Sequence, residues 1–167
     1  ISIKGQKLTL KEKILLSKES PWGLILFKRN IKSFNQVKKL IVNIKKLTKD
    51  KKFPVLIDEE GLSVTRLSNI INHNIDANYF GYLYEADRKV ALKLYKSYLD
   101  SLCIKLRTLG ININTIPVLD VLRKNTNKII GKRSFSINEK VVRKLGEISI
   151  RRCHSNNVVA VAKHIPG

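Results

Sequence analysis

Pro54-Val55-Leu56-Ile57-Asp58 is a short aliphatic run closed by a carboxylate, and the fold turns on how it is read. It is too short for an independent helix, and its apolarity is nearly continuous rather than alternating, which suits a strand buried on both faces. Three other stretches share the pattern: Gly23-Leu24-Ile25-Leu26-Phe27, Ile113-Asn114-Thr115-Ile116-Pro117-Val118-Leu119-Asp120 and Val158-Val159-Ala160-Val161-Ala162. Each is bounded by polar or turn residues, as strands are.

Helical periods fill the intervals. Ser33 can cap a helix with Phe34, Val37, Leu40, Ile41, Ile44 and Leu47 on one face and lysines opposite. Asp87 starts a longer helix carrying Val90, Leu94, Tyr95, Tyr98, Leu99, Leu102 and Leu106, and Gly110 ends it. A third helix, over about 138–154, buries Val141, Val142, Leu145 and Ile148, and a shorter one over 9–17 precedes the first strand. Strands alternating with helices in this way predict right-handed parallel βαβ units.

Two architectures fit, an open doubly wound sheet or an incomplete (β/α)₈ barrel. A complete barrel needs about 250 residues, so 167 hold about four βα units, its first half. The doubly wound alternative lacks the G-x-G-x-x-G turn after a strand. No Gly/Ser-rich or Pro-rich linker divides the chain, so 1–167 reads as one domain or a piece of one. The chain contains no methionine, which suggests that Ile1 is not a natural start and that the sequence is cut.

With 43% hydrophobic and 28% charged residues, the composition excludes disordered and fibrous classes. No apolar run approaches the roughly 18 residues of a membrane-spanning helix, so no membrane partner is expected. Cys103 and Cys153 sit in helical stretches, which suits free thiols in a reducing compartment. The net charge of +20 suggests a polyanionic partner. Against that, 24 Lys, 21 Ile and 14 Asn are the residues with the most A- and T-rich codons. The lysines are spread along helix faces, and nothing interleaves them with aromatics to make a stacking platform. Compositional drift therefore explains the charge better than a nucleic-acid surface does.

In either architecture, chemistry gathers at the carboxyl ends of the strands. Those ends read Lys28-Arg29-Asn30, Asp58-Glu59-Glu60-Gly61, Asp120 and Lys163-His164, with Arg66 and Arg133 in the following loops. Acids that accept from hydroxyls, beside Arg and Lys that donate, suit a hydroxyl-rich ligand. On residue chemistry alone, Asp58 and Asp120 form a candidate glycosidase acid pair. The histidines and cysteines show no metal-ligand spacing, and no cofactor is called for.

Five blocks in order then carry a family resemblance. Trp22-Gly23-Leu24-Ile25-Leu26-Phe27-Lys28-Arg29-Asn30 resembles the GLILFxRN opening of bacterial β-N-acetylhexosaminidases of glycoside hydrolase family 3. The stretch from Val55 through Asp58-Glu59-Glu60-Gly61 to Arg66-Leu67 is similar to the D-Q-E-G-G-x-V-x-R-L segment. Ile116-Pro117-Val118-Leu119-Asp120-Val121, Ile130-Gly131-Lys132-Arg133-Ser134-Phe135 and Ala162-Lys163-His164-Ile165-Pro166-Gly167 resemble A-P-V-L-D, I-G-x-R-S/A-F and G-K-H-F/I-P-G. Residues 68–109 carry little of the likeness.

The resemblance implies the barrel, with no cofactor, and retaining hydrolysis of terminal β-linked N-acetylglucosamine from peptidoglycan fragments during cytoplasmic wall recycling. It implies that Asp58, Arg66, Arg133, Lys163 and His164 hold the sugar. It also places the nucleophile on a later strand and the acid/base on the loop after K-H-F-P-G. No catalytic residue is then expected in 1–167, which displaces the acid pair. The chain is expected to be a truncated or split form, inactive alone, with a possible complementing C-terminal fragment. A glucoside-cleaving member of the family and a non-catalytic basic module on an open Rossmann-like sheet are the rival readings. Two departures stand out: Leu62 replaces the second glycine of E-G-G, costly if that position needs φ > 0, and Glu59 replaces the usual glutamine.

Scattered lysines can bind nucleic acid only by neutralising phosphates and releasing counterions, so any such binding should be non-specific and fall steeply with salt. Filter binding across a salt series checks this. A footprint at one sequence that survives ~0.3 M salt would overturn the compositional account of the charge.

Overall fold

The computed structural model describes residues 1–19 and 21–165. Helix α1 (Leu10–Lys18) opens on a capping box in which Thr9 and Glu12 hold each other's backbone. Strand β1 (Leu24–Leu26) follows, then α2 (Phe34–Leu47), whose Ser33 hydroxyl accepts from the Gln36 amide as expected. Next come β2 (Val55–Ile57), α3 (Ala77–Ala86), α4 (Arg88–Leu109), β3 (Ile113–Asn114), α5 (Glu139–Ser155) and β4 (Val159–Ala160). Asp87 caps α4, and Gly110 ends it in the left-handed region at φ 95°, where a Cβ would be strained.

Strand order separates the two candidate architectures. The four strands are parallel and lie in the order β1-β2-β3-β4, each hydrogen-bonded to the next in sequence. A doubly wound sheet must reverse that order at its switch point. Right-handed crossovers that always step the same way put every helix on one face. Accordingly α1 packs on α2, α2 on α4 and α4 on α5, forming one outer layer. The fold is a partial (β/α)₈ barrel. The core lies between that layer and the sheet, where Leu24, Leu26, Val55 and Ile57 meet Val37, Ile41, Leu99, Leu106 and Leu145. Each such side chain contributes about 1.5–3 kcal/mol by burial.

The sheet begins earlier than the apolar runs indicate. Ser2 bridges Ile25 in parallel, the Ile25 amide donates to the Ile1 carbonyl at 2.9 Å, and Ile3 is buried. Residues 1–3, α1 and β1 therefore form a further βαβ unit. A three-residue segment ending in Lys4-Gly5 is too short to show periodicity, which is why it is invisible as a strand. It also reassigns the first strand end. Arg29 donates to the Ile3 carbonyl and Asn30 to those of Ile3 and Gly5, so both side chains anchor this segment rather than face a ligand.

Two further differences concern helices. α3 is absent from the sequence-based reading because its cap residue, Asp76, makes no side-chain capping bond and Gly81 interrupts it. That glycine is required by packing: a Cβ there would lie 1.7 Å from the Phe135 carbonyl oxygen. On α4 the buried stripe runs through Ala91, Tyr95, Leu99, Leu102 and Leu106, which leaves Val90 and Leu94 exposed on the neighbouring column.

Ile25, Leu56, Ile113 and Val159 pair in register across the sheet. This row faces away from the helices, and its Leu56, Ile113 and Val159, with Trp22, Pro54 and Val161, line an open concavity of about 980 Å³. Trp22 is 73% and Val159 51% exposed. In a closed barrel such a row packs against its counterparts. The 167-residue chain is thus expected to self-associate at micromolar concentration, because apolar parallel edges template association. Analytical ultracentrifugation beside thermal unfolding checks this, and a dispersed monomer that unfolds cooperatively would refute it.

Candidate functional site

The carboxyl end of β2 delivers three consecutive carboxylates to three different environments. Asp58 faces the rim, where Thr115 Oγ1 donates to Oδ1 at 2.6 Å and Arg66 donates to Oδ2 at 3.0 Å. Glu59 turns inward and is fully buried. Glu60 lies across the rim with a side chain only 6% exposed.

Glu59 organises the loop that follows. Its carboxylate accepts from the Arg66 and Leu67 amides at 2.8 and 2.9 Å and from Thr65 Oγ1 at 2.5 Å. His73 Nε2 lies 2.7 Å away, and Tyr98 meets the other ring nitrogen at 3.1 Å. Burial, together with the Glu59 and Asp76 charges, pushes the Tyr98 phenol up, so it stays protonated and can donate to His73 Nδ1, leaving the Nε2 proton for Glu59. The Asn114 side chain on β3 pairs with the Glu59 backbone in both directions. Leu62 carries no strain here: it is not among the residues with positive φ, and its side chain is exposed.

Glu60 bridges two cations. Arg133 grips it with Nε to Oε2 at 2.7 Å and Nη2 to Oε1 at 3.0 Å, a bidentate fork. That hydrogen bonding raises the Arg133 pKa although burial opposes it. Lys163, at the end of β4, places Nζ 2.5 Å from Glu60 Oε1, 2.7 Å from Thr115 Oγ1 and 3.4 Å from Asp58 Oδ1. Asp58, Arg66, Glu60, Arg133 and Lys163 therefore form one connected network. His164 belongs to an adjoining pair: its ring Nδ1 and its backbone amide lie 2.8 and 3.1 Å from Asp120 Oδ2. Half of its side chain is exposed.

This geometry does not favour Asp58 as the acid of an Asp58–Asp120 pair. A general acid needs a raised pKa. Burial by itself raises that of Asp58, but the Thr115 hydroxyl, Lys163 and Arg66 together outweigh it and hold the carboxyl below its ordinary range. Asp120 is committed to His164. Among the described residues, no three His, Cys, Asp or Glu side chains are placed to hold a metal ion, and no helix is long and apolar enough to cross a membrane.

All five residues expected at the rim are brought to one end of the sheet. Thr115 and the His73–Tyr98 support of Glu59 are absent from the sequence-based reading. Asn114-Thr115 inside an aliphatic strand was the available signal, because polar groups buried in a sheet need dedicated partners. His73 and Tyr98 come from the stretch without motif resemblance and leave no such mark.

Comparison with known proteins gives the family. Residues 2–167 match the family described as the glycosyl hydrolase family 3 N terminal domain. A Beta-hexosaminidase of Xanthomonas campestris is 29% identical over 167 residues, covering 100% of this chain and 50% of that protein. One from Stenotrophomonas maltophilia is 30% identical over 167 residues, covering 100% and 49%. The chain spans about half the length of the curated relatives it matches. Among solved structures, NagZ from Neisseria gonorrhoeae in complex with N-trifluoroacetyl-D-glucosamine superimposes with a TM-score of 0.87 at 28% identity, covering 99% of this chain and 48% of that one. A family 3 β-N-acetylglucosaminidase from Paenibacillus gives 0.88 at 28%, covering 99% and 31%. Matched in fold and along almost its whole length, the chain belongs to glycoside hydrolase family 3, within the part that its N-terminal domain describes.

Proposed function

We propose that the rim formed by Asp58, Arg66, Arg133, Lys163 and His164 is one wall of the sugar subsite of a retaining β-N-acetylhexosaminidase. The ligand is the terminal N-acetylglucosamine of peptidoglycan fragments met in the cytoplasm. Residues 1–167 are the N-terminal part of the catalytic barrel, and the groups that cleave the glycosidic bond come from the other half, whether covalently continuous or supplied as a separate fragment. The observation that carries this reading is the single network joining Asp58, Arg66, Glu60, Arg133 and Lys163. Relatives named Beta-hexosaminidase and a neighbour solved with an N-acylated glucosamine support the choice of sugar.

Asp58, as an ionised carboxylate, accepts from sugar hydroxyls. Lys163 and Arg133 donate to neighbouring oxygens, and their grip on Glu60 fixes their positions before the sugar arrives, which lowers the ordering cost of binding. Asp120 orients His164 through Nδ1 and leaves Nε2 toward the ligand side. The rim thus supplies orientation and charge, not proton transfer.

The purified chain should release no chromophore above buffer from a chromogenic β-N-acetylglucosaminide. N-acetylglucosamine should nonetheless shift NMR resonances at the rim, and Asp58→Ala should abolish the shifts. Turnover that Asp58→Ala abolishes would instead revive the acid pair, and an unperturbed rim would remove the sugar reading.

The depressed Asp58 pKa makes a second prediction. Its ionic contribution to stability is present above the unfolded-state value near 4 and is lost as the pH falls through the lower folded value. Asp58→Asn should therefore destabilise the protein at neutral pH, and the gap to wild type should close below about pH 4. Denaturant unfolding at a series of pH values measures it, and a gap that does not change with pH would refute the assignment.

A further inference from the structure

Cys103 on α4 and Cys153 on α5 are both fully buried, both free, and lie with their sulfurs 3.8 Å apart. Nothing in the sugar site uses them. Around them the helix pair is held by a polar clasp: Arg152 binds both carboxylate oxygens of Asp100, and Asn156 donates to Asp100 at 2.7 Å. The thiol contact with Cys153 pulls Cys103 below its ordinary pKa against the opposing effects of burial and the Asp100 charge. Burial in contact with Cys103 pushes the Cys153 thiol up. With the two sulfurs already in contact, oxidation of either one puts its partner in place to resolve it.

Access comes along the same helix pair. A cleft of about 390 Å³ opens between α4 and α5, bounded by Leu92, Lys96, Ile148, Arg152 and Ser155. Neither sulfur lines this cleft and both are fully buried, so a small neutral oxidant reaches them through local opening of the α4–α5 seam.

We propose that Cys103 and Cys153 are a modification site for hydrogen peroxide, which converts them into a disulfide joining α4 to α5. In the first step the Cys103 thiolate attacks one peroxide oxygen. An S–O bond forms, the O–O bond breaks, and the departing hydroxide takes up a proton to leave as water, giving a sulfenic acid. In the second step the Cys153 sulfur attacks that of Cys103. The S–S bond forms, the S–O bond breaks, and the Cys153 proton leaves with the hydroxyl as a second water. Two thiols and one peroxide give one disulfide and two waters. The sulfurs must close to about 2.05 Å, which side-chain rotation about χ1 on facing helices has to supply.

The cross-link spans fifty positions of sequence, a long loop whose closure restricts the unfolded chain. α5 leads directly into β4 and so to Lys163 and His164, so oxidation would staple the third and fourth units of the barrel together. This inference is independent of the sugar reading.

The test treats the native 167-residue chain with hydrogen peroxide and follows it by intact-mass spectrometry, alkylation of free thiols under denaturing conditions, and thermal unfolding. Expected are a mass lower by two hydrogens, no alkylatable thiol, and a melting temperature higher by roughly 5 °C or more, all reversed by a dithiol reductant. Cys103→Ser and Cys153→Ser should each abolish the monomeric oxidised form. Two thiols still alkylatable after treatment, mass gains of whole oxygens, or a disulfide found only between chains would overturn the proposal.

Discussion

A carboxylate buried without partners costs several kcal/mol, and Glu59 is fully buried. The loop after β2 is shaped by the need to satisfy it. Two backbone amides, a threonine hydroxyl and an imidazole converge on one side chain, and two of those donors belong to Thr65 and Arg66. Because the chain must fold back to deliver them, the Arg66 side chain is returned to within reach of Asp58. The rim's first ion pair is thus a by-product of a buried charge one residue away. Asn114 extends the same logic to β3, standing in for a backbone partner where the strand ends.

The sequential order of the sheet sets the second constraint. When each parallel strand lies beside its predecessor, all carboxyl ends point one way and curve around a common centre, so residues far apart in sequence become neighbours. Lys163 meets Asp58 across 105 positions and Arg133 meets Glu60 across 73. No local motif could bring these together, and the same strand pairing that buries Leu24, Val55 and Ile57 makes the meeting unavoidable.

What was legible in the sequence follows from this. The apolar runs at β1 and β2, the caps Ser33 and Asp87 and the stop at Gly110 are local signals, and each stands in the structure where the residues suggest. The five rim residues were legible through their motif context. The parallel segment at residues 1–3 was not, because its partner is Ile25 and three residues carry no period. α3 was hidden because a glycine, Gly81, interrupts its pattern, and what requires that glycine is the distant Phe135 backbone. The inward role of Glu59 was hidden because its partner His73 comes from a stretch without distinguishing pattern.

The close approach of Gly81 to Phe135 has reach beyond packing. Phe135 lies two residues past Arg133, and its carbonyl oxygen occupies the space that any side chain at position 81 would fill. Backbone cannot yield there without carrying along the segment that holds the guanidinium against Glu60. A position on a helix with no polar group of its own therefore bears on the segment that carries Arg133. Even the single methyl of an alanine at 81 would press on that backbone, so the glycine guards the shape of the rim without offering it a charge or a donor.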